Sequence, residues 1–275
     1  MPGEGLSDAL SAAETYRALG MGTVFTFLGE NVTDLDAAER DVEHYHRALD
    51  ETAERGLDTE ISAKLTHFGL DIDPAFAQAS LEALADHAAR LGTWMWVDME
   101  GSALTEATVA LYERARPGRD NLGLCLQAYL RRTPSDIARL LPIRPAIRLV
   151  KGAYDEPAAI AHRRGAAVDA AFLAAGQQLL EGMSTGTLAR FVAATHDVGL
   201  IEQLGAVAET MGLKRRAVEI QMLYGIRTPE QRRLVAEGYD TRVLIAYGGA
   251  WYAWYLRRLA ERPANVLFAL RQILP

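Results

Sequence analysis

Eight short apolar or β-rich runs, separated by longer stretches with helical spacing, recur along the whole chain, and this alternation constrains the fold more than any other feature. The runs are Thr23 to Leu28, Ile61 to Phe68, Thr93 to Met99, Leu122 to Gln127, Ala146 to Val150, Arg190 to Thr195, Ala217 to Leu223 and Arg242 to Ala246. Between them apolar residues fall three and four apart, as in Leu81, Leu84, Ala85 and Ala88, or Phe172, Leu173, Leu179 and Leu180, which is the stripe of an amphipathic helix. Helix starts carry cap-type residues ahead of proline or an acid: Thr33 before Asp34, Asp73 before Pro74, Thr133 before Pro134 and Thr228 before Pro229. Strands alternating with helices imply parallel pairing. Eight such units predict an α/β fold, a closed (β/α)8 barrel of the TIM type in one domain over residues 23–275, after a short amino-terminal segment, 1–22. A doubly wound open sheet is the rival architecture, but no strand is followed by G-x-G-x-x-G, and neither a Walker-type lysine loop nor a low-complexity linker is found.

Composition narrows the function. With 49% hydrophobic residues in a chain of 275, a large core can be buried. The balance of 29 basic against 36 acidic residues, net -7, argues against nucleic acid or an anionic membrane as a main partner. Cys125 is the single cysteine, so an intrachain disulfide and a cysteine-rich metal site are excluded, and a reducing, cytoplasmic address is expected. Met1 to Gly20 has no signal-peptide pattern, and no run approaches the roughly 20 apolar residues of a membrane span. His44 and His46 are two apart on a predicted helix and face different ways, and no H-x-x-x-H pair is backed by acids, so no metal is expected. His162, Arg163 and Arg164 read as a solvated basic patch. Only three lysines occur, and Lys64 and Lys151 sit in or at the end of apolar runs, where a charge needs a partner.

In a barrel of this kind chemistry collects at the carboxyl ends of the strands. Lys64, Asp98, Gln127, Arg148, Lys151, His196, Asp197 and Gln221 all fall at or near such ends. Any one of them could simply cap a strand; their recurrence on successive strands points to a site.

Three segments are more specific: Arg148-Leu149-Val150-Lys151-Gly152-Ala153-Tyr154, Gln221-Met222-Leu223-Tyr224-Gly225, and Tyr255-Leu256-Arg257-Arg258-Leu259-Ala260-Glu261-Arg262-Pro263-Ala264-Asn265. Together they resemble the proline dehydrogenase family of flavin-dependent (β/α)8 barrels. Leu28-Gly29-Glu30, Lys64-Leu65, Asp98, Gln127-Ala128-Tyr129 and Ala194-Thr195-His196-Asp197 extend the likeness in the same order. The resemblance implies a final helix over the barrel mouth, FAD held without covalent attachment, and hydride transfer from a small cyclic amino acid to the flavin, giving a cyclic imine. It further implies a quinone as electron acceptor, hence a possible peripheral membrane contact.

Carried over by position, Arg257 and Arg258 correspond to the pair that grips the substrate carboxylate, with Lys64 as a further cation and Asp98 as the pocket acid that holds cations in place. Tyr154 corresponds to the pocket tyrosine and Leu223 to the apolar wall. Gln127, Cys125, Arg148, Lys151, Gly152, Ala153, Thr195, His196, Asp197 and Gln221 fall on the flavin side, with Arg258 and Glu261. Arg148 would favour the negative charge that develops as the ring accepts hydride.

Departures from the family pattern cluster at the substrate wall. Leu244 stands where an aromatic residue is usual and Trp254 where tyrosine is usual; away from that wall, Val168 stands where a threonine that contacts the flavin tail is common before Asp169. A substrate other than proline, such as hydroxyproline, pipecolate or a modified ring from a biosynthetic pathway, is therefore an alternative. So is an aldolase-like barrel forming a Schiff base on Lys64 or Lys151, which would need a depressed lysine pKa, or a barrel kept for binding alone. The stripe Trp251, Trp254, Tyr255 and Arg258 also fits plain core packing.

Overall fold

The computed structural model describes residues 1–29, 32–163 and 165–251. Trp254, Arg257, Arg258 and Glu261, and the expected helix over the barrel mouth, lie outside the described residues. Eight strands, β1 (Gly22–Phe27), β2 (Thr59–Ala63), β3 (Met95–Val97), β4 (Leu122–Gln127), β5 (Ala146–Val150), β6 (Arg190–Ala194), β7 (Glu219–Leu223) and β8 (Thr241–Tyr247), pair in parallel in chain order. β8 returns to β1 in a register running from Arg242 with Gly22 to Tyr247 with Phe27, which closes the barrel. Between the strands run α2 (Leu35–Glu54), α3 (Pro74–Arg90), α4 (Ser102–Ala115), α5 (Thr133–Leu140), α6 (Gly165–Ser184), α7 (Val198–Thr210) and α8 (Thr228–Ala236).

Side chains alternate across each strand, so the two faces meet different surroundings. Phe25, Ile61, Leu124, Ile147, Phe191 and Ile245 point out into a core shared with the helices. The inward set is different. Val24, Trp96, Ala146 and Val192 form a separate apolar cluster, with Trp94 and Leu244 against it. Among these stand the buried polar groups Glu60, Ser62, Arg148, Glu219 and Gln221. Arg148 on β5 reaches Ser62 on β2, three strands away in the sheet, so the two can meet only across the lumen.

Several boundaries differ from the sequence expectation. The second run stops as a strand at Ala63; Leu65–Phe68 form a single 3-10 turn closed by Gly69 at φ 73°, which lets Leu65 and Phe68 both reach the core. The third strand shortens to Met95–Val97, and Ala217 falls in a 3-10 turn ahead of β7. Asp34 and Asp73 cap their helices through their carboxylates, accepting from Ala37 and from Ala75 and Phe76. Thr133 and Thr228 instead occupy first helical positions. The hydroxyl of Thr133 donates to the Gln127 carbonyl at 2.5 Å, tying α5 to the end of β4. The amino-terminal segment contains a helix, α1 (Leu6–Arg17), whose Ala9, Leu10, Ala13 and Tyr16 are buried against the β8–β1 seam.

Candidate active site at the carboxyl ends of the strands

The centre of the site is an ion pair. Arg148 is 2% exposed, and an unpaired guanidinium there would be prohibitively costly. Its Nη2 donates to Ser62 Oγ at 2.7 Å and to Asp98 Oδ1, while Ser62 Oγ donates to the same Asp98 oxygen at 2.8 Å. Nη1 reaches Gln221 Oε1 at 3.4 Å, and the guanidinium carbon lies 5.3 Å from the Trp96 ring centre. Burial works against the charge, yet Asp98 holds the Arg148 pKa above the ordinary arginine value, so it stays a cation. Burial pushes the thiol of the neighbouring Cys125 up, which makes it neutral.

A second group joins the loops after β3, β4 and β5. Gln127 Nε2 donates to the Glu100 carbonyl at 2.9 Å, and its Oε1 accepts from the Ala153 amide at 3.2 Å. Glu100 in turn accepts from the amide and hydroxyl of Thr66, at 3.3 and 2.9 Å, and burial pushes its carboxyl up. Gly152 has φ 124°, and a Cβ there would come within 2.1 Å of the Tyr129 ring. Only glycine admits both the backbone conformation and the contact.

A third group lies at the outer edge. Lys151 Nζ sits between Asp169 Oδ1 at 2.6 Å on α6 and Asp197 Oδ2 at 2.9 Å ahead of α7. Burial would lower the Lys151 pKa, but the two carboxylates raise it overall, and despite its own burial Asp197 is held below its usual range. The Asp197 amide donates to Thr195 Oγ1 at 3.1 Å. His196 Nε2 accepts from the Leu223 amide at 3.4 Å, which puts the proton on Nδ1. Burial and Arg227 lower its pKa to about 4, so the ring is neutral. His196 Nδ1 is buried and has no hydrogen-bond partner among the described residues.

The structure thus brings Asp98, Cys125, Arg148 and Gln221 into one cluster, Gln127 and Ala153 into another, and Lys151 and Asp197 into a third. Lys64, Tyr154 and Leu223 are partly buried at the same ends of β2, β5 and β7. Leu244 faces the lumen with Val24 and Trp96. Ser62, Glu100 and Asp169 join these groups in the structure without standing out as site residues in the sequence. A usable signal existed for Ser62: Glu60, Ser62 and Lys64 alternate with apolar residues, the mark of a strand with one polar face.

Closed parallel barrel, buried guanidinium and clustered polar side chains at the strand ends define an enzyme-like (β/α)8 barrel. The comparisons give the family. The family model for proline dehydrogenase matches residues 9–271. Proline dehydrogenase 1 of Bacillus subtilis (strain 168) is 34% identical over 273 residues, covering 99% of this chain and 88% of that protein. The proline dehydrogenase of Deinococcus radiodurans is 31% identical over 277 residues, with 99% and 88% covered. Among solved structures, proline utilization A (PutA) from Bdellovibrio bacteriovorus inactivated by N-propargylglycine superposes with a TM-score of 0.85 at 22% identity. That match covers 94% of this chain but 32% of the PutA chain, so this protein spans about a third of its length and shares its fold. The chain belongs to the proline dehydrogenase family and is an oxidoreductase of the class acting on CH-NH donors.

Proposed function

We propose that the protein oxidises L-proline to 1-pyrroline-5-carboxylate with FAD as the bound oxidant. The observation that carries this reading is Arg148: a buried, fully charged guanidinium fixed by Asp98, Ser62 and Gln221 at the strand ends of a proline dehydrogenase barrel. When bound, FAD supplies an acceptor for the hydride that leaves the substrate carbon beside the ring nitrogen. The residues present fit such a group. His196 holds a buried N–H donor with no acceptor among the described residues, Lys151 and Arg148 supply positive charge for an anionic tail and ring, and Gly152 clears the backbone between them.

The chain's own part is positioning and electrostatics. Arg148 is held in place before reaction, so it stabilises negative charge on a neighbouring ring without reorganising. The carboxylate grip is assigned to Arg257 and Arg258, with Lys64 as a third cation, from the family resemblance; a guanidinium fork orients the carbon that gives up hydride. Tyr154, Leu223, Leu244 and Trp254 are assigned to the substrate wall, and Glu261 to holding Arg258. A quinone is the proposed electron acceptor. The aldolase-like alternative is disfavoured at Lys151, whose raised pKa is opposite to what a Schiff-base amine needs.

Leu244 supports a second substrate reading, since it contributes a hydrocarbon to the lumen wall beside Val24 and Trp96. A related cyclic secondary amino acid would then replace proline. Reconstitution with FAD followed by anaerobic titration decides both points. Bleaching of the flavin by L-proline is expected. Failure to take up FAD would overturn the reading, and bleaching by pipecolate or hydroxyproline in preference to proline would favour the second substrate. Replacing Arg258 by alanine is expected to abolish bleaching while flavin stays bound.

A further inference from the structure

Below Arg148, four charged side chains cross the lumen in one layer. Arg190 on β6 lies 2.7 Å from Glu60 on β2 and donates to Glu219 on β7 at 2.5 and 2.8 Å. Arg242 on β8 lies 3.3 Å from Glu60 and 3.6 Å from Glu219. Arg242 also donates to Asp58 Oδ1 at 2.7 Å, so Glu60, Glu219 and the more exposed Asp58 face the two guanidiniums. It is set well into the barrel: Glu60 is 1% exposed. None of these four residues belongs to the Arg148, Gln127 or Lys151 groups at the strand ends.

Each carboxylate holds one of the side chains on which Arg148 rests. Glu60 Oε2 accepts from Trp96 Nε1 at 2.6 Å, fixing the indole whose ring centre lies 5.2 Å from the guanidinium carbon of Arg190 and 5.3 Å from that of Arg148. Glu219 Oε1 accepts from Gln221 Nε2 at 3.2 Å. Burial and Glu60 push the Glu219 carboxyl up to about 7 while Arg190 and Arg242 favour its charged form; ionised, it only accepts, so Gln221 turns its NH2 toward Glu219 and its oxygen toward Arg148. With a neutral amide in place of Glu219 the Gln221 side chain loses that constraint and can turn its NH2 toward the guanidinium, two donors facing each other.

We infer that Glu219 and Glu60 are positioning residues for Arg148, acting through the amide orientation of Gln221 and the ring of Trp96. Arg190 and Arg242 neutralise the two carboxylates so that this polarity can be maintained in the barrel interior. The effect on turnover rests on the flavin chemistry proposed above; the effect on Arg148 itself does not.

The test is a double-mutant cycle of Glu219→Gln with Gln221→Leu, read in two ways. In the cofactor-free protein, nuclear magnetic resonance follows exchange of the Arg148 guanidinium protons with water, assigned by their loss in Arg148→Lys. Glu219→Gln is expected to speed this exchange at least tenfold in the parent and less than twofold in the Gln221→Leu background. In the FAD-loaded protein, Glu219→Gln is expected to lower kcat five- to twentyfold with KM for L-proline within twofold, again only where Gln221 is present. Equal effects in both backgrounds, or unchanged exchange, would overturn the inference. A protein that takes up no FAD but shows the coupled exchange would remove the functional reading and leave the positioning intact. Should Glu219→Gln fail to fold, Trp96→Phe keeps a ring while removing the N–H to Glu60; faster Arg148 exchange is expected there, and unchanged exchange counts against the proposal.

Discussion

Arg148 and Asp98 are joined twice, once directly and once through Ser62, whose hydroxyl accepts from the guanidinium at 2.7 Å and donates to the carboxylate at 2.8 Å. Asp98→Asn keeps the shape and removes the counter-charge. The expected loss is about 2–4 kcal/mol of folding free energy, somewhat below that for a fully buried pair because Asp98 is 20% exposed. Ser62→Ala is expected to cost about 1–3 kcal/mol by leaving donors and an acceptor unsatisfied. Chemical denaturation midpoints measure both, and a loss under ~1 kcal/mol for Asp98→Asn would mean that Arg148 is held by other contacts.

Lys151 separates stability from binding. Its partners Asp169 and Asp197 are 39% and 41% exposed, so the pairs contribute little to folding. Lys151→Met is expected to shift the melting temperature by less than about 3 °C while weakening FAD binding at least tenfold. Fluorescence titration of the apoprotein reads the affinity; unchanged affinity would place the cofactor away from this edge.

Gly152→Ala introduces a Cβ against the Tyr129 ring in a backbone conformation hostile to other residues. A destabilisation of about 2–4 kcal/mol is expected from clash and strain together. Adding Tyr129→Ala should return only part of it, because the strain at φ 124° remains. Full recovery in the double variant would show that the contact alone demands glycine.

His196 should remain neutral with its proton on Nδ1 from pH 5.5 to 8, since burial and Arg227 lower its pKa to about 4. Nitrogen-15 spectra of labelled histidine report tautomer and charge, and a midpoint near 6.5 would contradict the assignment. The linkage has a definite sign: a folded-state pKa below the unfolded value of about 6.5 means that this group weakens folding as pH falls from 6.5 toward 4, and has no effect above that window.

The polar sides of the strands were legible because a strand repeats every two residues. Trp94, Trp96 and Asp98 share one side of the third run, and Glu219 and Gln221 share one side of the seventh. Helix α1 was not anticipated. Its cap is Gly5, which offers no side-chain oxygen, and the box is completed by Asp8 accepting from the Gly5 amide at 3.0 Å; its alanine-rich sequence shows little contrast between faces. The end of β2 at Ala63 was also hidden, since Leu65 and Phe68 are as apolar as strand residues and only packing selects the turn.

The sequence by itself determined eight parallel strands, the outward apolar face of each, and the crowding of charge and amide groups at the carboxyl ends, because periodicity and connection length are properties of neighbouring residues. Which cation meets which acid was decided only by the tertiary structure. Arg148 lies 50 residues from Asp98 and 86 from Ser62, and Lys151 reaches Asp169 and Asp197 from two different helix starts. Closure of β8 onto β1 makes the lumen a small, water-poor space in which every charge must find an opposite one. That requirement acts across the barrel and leaves no mark on local spacing.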